Sequence, residues 1–558
     1  MIGVVLPFLI GCGSDSPPSS EAADIVSAED WCEGSLGGPS AARPLMAGWA
    51  AAHVGLRMFG PETDQVFLDT LLADAVDGAV DSDALATYAE SIDDVCLVTP
   101  QTDAAPMATV EDVQGWSWVT PGEGAVTLPA DTMGMVLDLR GAPMADWDQL
   151  LAAVGPALGE DVSLGSRTVR SFNGFPSQLS VSNIYTVRQV EQPITVPATG
   201  AADLPILVVA PAALGPDAAR MAAGLRIARR AWLFGADVHA AVAESVWTPI
   251  GDQGLLWRGM SLHRSGDLYP DRIASDDAGT PKRFLQDPGV LETPTRIDGD
   301  AMRSSIEPYD PVQEYAFRST RVGDQRAAMM VAHGILDWFY PYFEVVGHTI
   351  DDALEESLTA LDAGSLEPAS FEAVLGRFMH SIEDGHGFFG HLDAQYPTAR
   401  YDVTLQLVDG QTLVRQSSHD ELLIGDVVVE IDGVPAADWY AEATARYSAA
   451  SEGYLHNLAT RELCARALPV TVRHPDGQTE TVSPTPLEPE DMAYIGMGTL
   501  RPSGFLDDLG APGIFLLNMH GSVTTDHNAV IDDLKAIRGV ADGLIVDMRN
   551  YPGADFYS

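Results

Sequence analysis

The 558-residue chain has no stretch approaching the roughly 20 apolar residues that a membrane helix needs, so it is not a polytopic membrane protein. Basic residues are scarce. Lys and Arg number 31 against 80 Asp and Glu, a formal net charge of −49. A surface this negative repels phosphate backbones and excludes nucleic acid as the expected partner. Its ordinary consequence is solubility; a functional one would be attraction of basic substrates. Cysteine is sparse too: Cys12, Cys32, Cys96 and Cys464. Their spacing excludes a zinc ribbon and a Cys-x-x-Cys redox motif. What is plentiful is ordinary globular material, 46% hydrophobic and 20% charged residues, which rules out disorder as the main state. A length prior of roughly 150 residues per domain suggests three or four domains.

The N-terminus runs Leu9-Ile10-Gly11-Cys12 after an apolar stretch and continues into the polar segment Gly13-Ser14-Asp15-Ser16-Pro17. This resembles a bacterial lipoprotein lipobox, in which the cysteine is lipidated after cleavage and the polar segment is a tether. It departs from a signal peptide in having no Lys or Arg before Cys12. The resemblance implies export, a place in the bacterial cell envelope (lipid-anchored, periplasmic or extracellular) and membrane contact only through a lipid on Cys12. The plainer reading is an apolar N-terminus with a buried thiol. Export permits disulfides. Cys32 and Cys96 flank the first helical pattern, and both a disulfide and two buried thiols are compatible with that placement.

An internal repeat organises the chain. Met133-Gly-Met-Val-Leu-Asp-Leu-Arg-Gly-Ala-Pro143 parallels Asp542-Gly-Leu-Ile-Val-Asp-Met-Arg-Asn-Tyr-Pro552. Each is an apolar run without alternation that ends in Asp-x-Arg and a proline turn, the pattern of a buried parallel strand. Ser91-Ile-Asp-Asp-Val-Cys96 parallels Ser381-Ile-Glu-Asp-Gly-His386, and Arg57-Met-Phe-Gly-Pro61 parallels Trp338-Phe-Tyr-Pro341. From Asp384 to Asp547 is 163 residues, against 44 from Asp94 to Asp138, so the second copy carries about 119 extra. The extra segment holds Gly425-Asp-Val-Val-Val-Glu-Ile-Asp-Gly433 and two strands around Asp476-Gly477 between Leu468 and Val482, a β-rich insert. The predicted division is 1–30 signal and tether, 31–100 helical segment, 101–290 first α/β core, 291–395 second helical segment, 396–488 insert and 489–558 start of a second core. Residues 276–312, rich in Asp, Pro, Thr and Gly, mark the linker.

These residues bring a family into view. Trp338-Phe-Tyr-Pro-Tyr-Phe343, Asp384-Gly-His386, Gly425-Asp426 through Gly433, and Gly543-Leu-Ile-Val-Asp-Met-Arg-Asn-Tyr-Pro-Gly553 stand in an order similar to that of the tricorn and C-terminal-processing (tail-specific) serine peptidases. The resemblance covers nearly all of 310–558. It implies an α/β fold with a crotonase/ClpP-like core in two copies, helical segments before each, and a PDZ-like insert. It implies a serine-type peptidase without cofactor or metal, acting on a peptide or protein. His386 takes the place of the general base, as in the tricorn branch. Gly553 and Ala554 take that of the oxyanion hole, although the family has Gly-Gly there. Asp384, Asp547 and Arg549 read as loop-orienting groups, the last two as an ion pair. A structural role for His386 stays open. His380, His386 and His391 cluster, but spacings of six and five fit no helical face for a metal. The aromatic run from Trp338 to Phe343 reads as core packing.

In the first copy Asp203-Leu-Pro-Ile-Leu-Val-Val-Ala-Pro211 reads as the next buried strand and 217–230 as a helix. Pro216 stands at the family's Ser position, Ala219 at its Glu position and Cys96 at that of His386. The first copy is expected to be a non-catalytic scaffold, Cys96 at most a lone thiol. Asp138 to Pro216 is 78 residues, which places the second copy's Ser near 625, beyond Ser558. The sequence therefore reads as a fragment stopping before its nucleophile, and these 558 residues alone are expected to be inactive. The alternative is a non-catalytic peptide-binding envelope lipoprotein on the same fold.

Overall fold

The computed structural model describes residues 31–548 apart from interruptions, the longer of which are 174–185, 286–293, 307–320, 388–397, 493–500 and 520–526. Among the described residues no helix is long and apolar enough to cross a membrane.

The first unit opens with three helices. Helix α1 (Leu45–Phe59) is buried from Ala47 to Arg57 with no exposed stripe, the pattern of a central helix. Helices α2 (Gln65–Ala75) and α3 (Ser82–Glu90) start on aspartate caps: Asp64 accepts from Phe67 N, and Asp81 from Asp83 N and Ala84 N. Buried polar groups tie the three together. The fully buried His53 ring bonds Tyr88 Oη at 2.8 Å and Asp69 Oδ1 at 3.1 Å, and Arg57 Nε donates to the same carboxylate. Strand β1 (Val95–Val98) then leads into the first sheet.

That sheet begins with the hairpin β2 (Thr109–Val113) and β3 (Trp116–Thr120). Gln114 and Gly115 at its tip both have positive φ, as a two-residue turn between twisted strands requires. Strand β4 (Gly134–Asp138) is buried at every residue, as the unalternating apolar run predicts. Helix α4 (Trp147–Val154) follows, with a reciprocal cap between Asp146 and Gln149. A long antiparallel pair, β5 (Val162–Asn173) and β6 (Thr186–Val196), comes next. Then come β7 (Ile206–Ala210), helix α5 (Pro216–Ile227) with proline in its first turn, and β8 (Ala231–Gly235). The sheet order is β8-β7-β4-β3-β2, parallel except for the β2–β3 hairpin. Strands β9 (Ser245–Ile250) and β10 (Gln253–Arg258) pair antiparallel, and β10 pairs with β1. Strand β11 (Ser261–Arg264) joins β5.

The second unit repeats the helices as α6 (Val322–Phe339), α7 (Asp351–Ala363) and α8 (Pro368–His380). His333 is buried like His53, and its Nε2 lies 2.9 Å from Asp351 on the next helix. The two sets of helices share one hydrophobic core with Trp257 and Leu255 of β10. Helices α1 and α6 meet closely because Gly334 has no Cβ; one placed there would lie 2.5 Å from the Ala50 carbonyl oxygen. The aromatic run at the end of α6 lies at the margin of this contact. Trp338 is 39% exposed and donates its indole N–H to Ala51 O, while Phe339 contacts Phe59 and Phe172.

The insert is a five-stranded antiparallel sheet in the order β12 (Val403–Val408), β13 (Gln411–Ser417), β14 (Val427–Ile431), β15 (Val470–Arg473), β16 (Thr479–Val482), to which the short Val434–Pro435 segment adds by pairing with β14. The last two strands turn around Asp476-Gly477, with Gly477 at φ +88°. Helices α9 (Ala436–Thr444) and α10 (Glu452–Arg466) contribute to its core.

The chain then forms β17 (Gly504–Leu506), β18 (Ala511–Asn518), helix α11 (His527–Ile537) and β19 (Gly543–Asp547). Strands β17 and β18 are antiparallel and β18 and β19 parallel, which is the arrangement of β2, β3 and β4. The register repeats as well: Trp116 pairs with Gly134, and Ile514 with Gly543. The surroundings differ. Strand β4 is covered by β7, whereas Leu544, Ile545 and Val546 are 44–48% exposed.

Candidate active site

Parallel strands deliver their functional loops at their C-terminal ends, and the first unit shows what an Asp-x-Arg loop does there. Arg140 Nε donates to Asp138 Oδ1 at 2.9 Å and its Nη2 to Oδ2 at 2.8 Å. Trp118 Nε1 donates to Oδ2 at 2.8 Å, and the guanidinium lies 5.9 Å from the Trp118 ring centre. Burial opposes ionisation of Asp138, but the bonds from Arg140 and Trp118 outweigh it and hold the carboxyl below the usual range. The pair closes the loop on itself. Gly215 N then bonds Pro143 O at 2.9 Å, so the loop sits against the start of α5.

A carboxyl whose folded pKa is depressed contributes stability above its unfolded pKa of about 3.9 and loses it as pH falls through the folded value. Asp138→Asn is therefore expected to be less stable than the parent at pH 7, with the gap closing below about pH 4. Urea unfolding at pH 7 and pH 3 reads this directly; an equal gap at both would deny the ion pair its role.

The first unit holds no catalytic group where the second is expected to. Pro216 begins α5, with Ala219 one turn on. Cys96 is not a lone thiol: it is disulfide-bonded to Cys32, with Cα atoms 5.5 Å apart. This corrects the lone-thiol expectation and settles the open choice between disulfide and free thiols. The two cysteines meet because β1 leaves the helices beside the segment that precedes them. Asp94, the counterpart of Asp384, lies 2.8 Å from Arg258 Nη1.

In the second unit, α8 ends at His380 and the chain turns through Ser381-Ile382-Glu383-Asp384-Gly385. Glu383 adopts φ +51°, and Gly387 N donates to Asp384 O at 2.9 Å. Tyr340 Oη donates to Ile382 O at 2.8 Å. Burial, with Asp384 beside it, pushes the Tyr340 phenol up. From the insert, Ser448 Oγ accepts from Asp384 N at 2.8 Å, and the Tyr447 carbonyl accepts from His380 Nδ1 at 2.6 Å. Tyr454 leaves no slack at Gly385, where a Cβ would lie 3.0 Å from its ring. Nothing in the sequence singles out Tyr447 or Ser448; they sit in an unremarkable Ala-Arg-Tyr-Ser-Ala stretch.

Asp547 ends β19, in register with Asn518, and its carbonyl accepts from Met519 N. His386, Arg549, Gly553, Ala554 and Cys12 lie outside the described residues. Among the described residues no three His, Cys, Asp or Glu side chains gather as a metal site.

No family model matches the chain, and no curated protein matches it. Solved structures do. Mature CPAF complexed with lactacystin matches at 14% identity over 42% of this chain and 58% of that one, with a TM-score of 0.30. Mature CPAF alone matches at 14% over 40% and 55%, TM-score 0.27. A lipoprotein from Streptococcus agalactiae matches at 11% over 43% of this chain and 94% of its own, TM-score 0.28. The chain spans a little over half the length of the CPAF chains.

Proposed function

We propose that the protein is an exported serine endopeptidase of the tricorn or C-terminal-processing type, with His386 as general base and a Ser nucleophile lying beyond residue 558. The observation that carries this reading is the repeated strand unit. The β2–β3–β4 and β17–β18–β19 groups share strand order and direction, their parallel pairs share register, and the sequence after each reads Asp-x-Arg. The first unit then serves as scaffold, since its base position is a disulfide and its nucleophile position a proline.

In this mechanism the neutral imidazole of His386 takes the Ser proton during attack and returns it to the leaving amine. The backbone N–H groups of Gly553 and Ala554 are assigned to the oxyanion hole, a donor of this kind being worth about 3–4 kcal/mol. Asp547 and Arg549 are assigned the loop-orienting role that Asp138 and Arg140 play in the first unit. The PDZ-like insert holds the substrate by adding it as a strand to its sheet. Cys12 anchors the protein in the envelope by its lipid.

The test is a fluorophosphonate probe applied to the protein expressed with the sequence that follows codon 558. Labelling is expected, and His386→Ala should slow it by about 10²–10⁴-fold, the usual contribution of a general base. The 558-residue chain should stay unlabelled. Absence of labelling in the longer product would leave the peptide-binding lipoprotein as the reading. Labelling indifferent to His386 would remove that residue from the mechanism.

A further inference from the structure

We propose that Ser448, on the β-rich insert, is a positioning residue for the Asp384-Gly385 turn, and so sets the direction in which the chain leaves that turn into His386. This rests on the proposed role of His386. The turn follows the last residue of α8, whose closing carbonyls accept from local amides (Phe378 O from Ser381 N, Met379 O from Ile382 N, His380 O from Glu383 N), and it passes through Glu383 in the left-handed region that residues with a side chain seldom adopt. A conformation of that kind persists when the surroundings over-determine it.

The surroundings come from the insert. Ser448 is 3% exposed, so its hydroxyl is a buried acceptor aimed at the Asp384 N–H, 2.8 Å away. One residue earlier, the Tyr447 carbonyl takes the His380 Nδ1 proton at the end of α8. Six residues later, Tyr454 closes on Gly385. The end of α8 at His380 and the turn residues Asp384 and Gly385 thus meet one segment of the insert. That segment is itself braced. Tyr447 Oη donates to Glu462 Oε2 at 3.0 Å, Arg446 Nη2 lies 3.0 Å from Glu462 Oε1, and Ser451 caps α10. The connection between α9 and α10 is a fixed strut, and Ser448 is where it bears on the turn.

The experiment is amide hydrogen exchange on the full 558-residue chain, comparing the parent with Ser448→Ala and Ser448→Thr. Loss of one buried hydrogen bond is expected to speed exchange at Asp384 about tenfold in Ser448→Ala, with Ser448→Thr restoring protection through its hydroxyl. NMR titration of the His386 ring, assigned with His386→Gln, is expected to shift in the alanine variant and return in the threonine variant, which a merely structural role would not produce. Amides of β13, β14 and β15 report whether the insert remains folded. Should Ser448→Ala disturb them, Gly385→Ala tests the same contact from outside the insert, by placing a methyl against Tyr454; faster exchange at Asp384 is expected there too. Unchanged exchange at Asp384, with the insert folded, would overturn the proposal. Exchange does not depend on hydrolysis, so failure of fluorophosphonate labelling would remove the peptidase reading and leave this result standing.

Discussion

Glu244→Ala should lose about 3–5 kcal/mol of unfolding free energy, the cost of leaving buried charges without their partner. Glu244 is fully buried and lies between two guanidinium groups. Arg258 Nε and Nη2 lie 3.1 and 3.0 Å from its Oε2, and Arg303 Nε lies 2.8 Å from the same oxygen. Its other oxygen accepts from Leu262 N at 2.8 Å. Burial acts to lower the Arg258 pKa, but Glu244 and Asp94 outweigh it and leave the group above its ordinary value. Removing Glu244 leaves Arg258 with Asp94 and Arg303 with Asp271, each a more exposed carboxylate, and orphans the Leu262 amide. Glu244→Gln keeps the shape and loses the charge, so it should cost less. Urea unfolding gives the answer as a shift in midpoint at unchanged slope. A loss below about 1 kcal/mol for the alanine variant would mean that Asp94 and Asp271 satisfy both arginines, contrary to the usual cost of breaking a buried pair.

The second large effect is expected at Cys32–Cys96. The bond closes a loop with a sequence separation of 64. By chain entropy that constrains the unfolded state by about 4 kcal/mol, so Cys32→Ser with Cys96→Ser should unfold at markedly lower urea than the parent. The parent under strong reductant should move toward the double variant. If reductant and the double substitution leave the midpoint where it was, the bridge adds nothing the packed core does not already supply. The same pair bears on chemistry. Since Cys96 aligns with His386, the bridge leaves no free thiol at that position of the first copy.

The sequence made the sheet strands readable because they are extreme cases. Gly134–Asp138 and Ile206–Ala210 are apolar without alternation, which only a strand buried on both faces tolerates. Pro216 announces the start of α5, and Asp476-Gly477 the turn between β15 and β16. The ion pair read for Asp547 and Arg549 lies partly outside the described residues, while the parallel Asp138 and Arg140 of the first unit do form one. Long-range associations left no such trace. The β5–β6 pair has strands of 12 and 11 residues, yet its polar faces gave no usable alternation. The burial of α1 all round, and its packing on α6 from the other copy, depend on surfaces some 280 residues apart that no local period can match. The aromatic residues from Trp338 to Phe343 were readable as apolar but not as the rim between the copies and the turn. Ser448 was invisible for a related reason: a serine's role is set by whichever amide it meets.

The shared helical core also bears on what a duplicated unit is free to lose. Trp49, Val54 and Gly55 on one side, and Met330, Gly334 and Leu336 on the other, shield each other from water. Pro216 and Cys96 lie outside that shield, so a change at either leaves it intact even though loss of Cys96 also breaks the disulfide. Loss of the Trp49 side chain opens this common core, and a side chain at Gly55 would press into Trp257, where its Cβ would lie 2.6 Å from the ring. The first unit is therefore tied to the second by packing: it cannot be deleted without exposing apolar surface on the helices of the second.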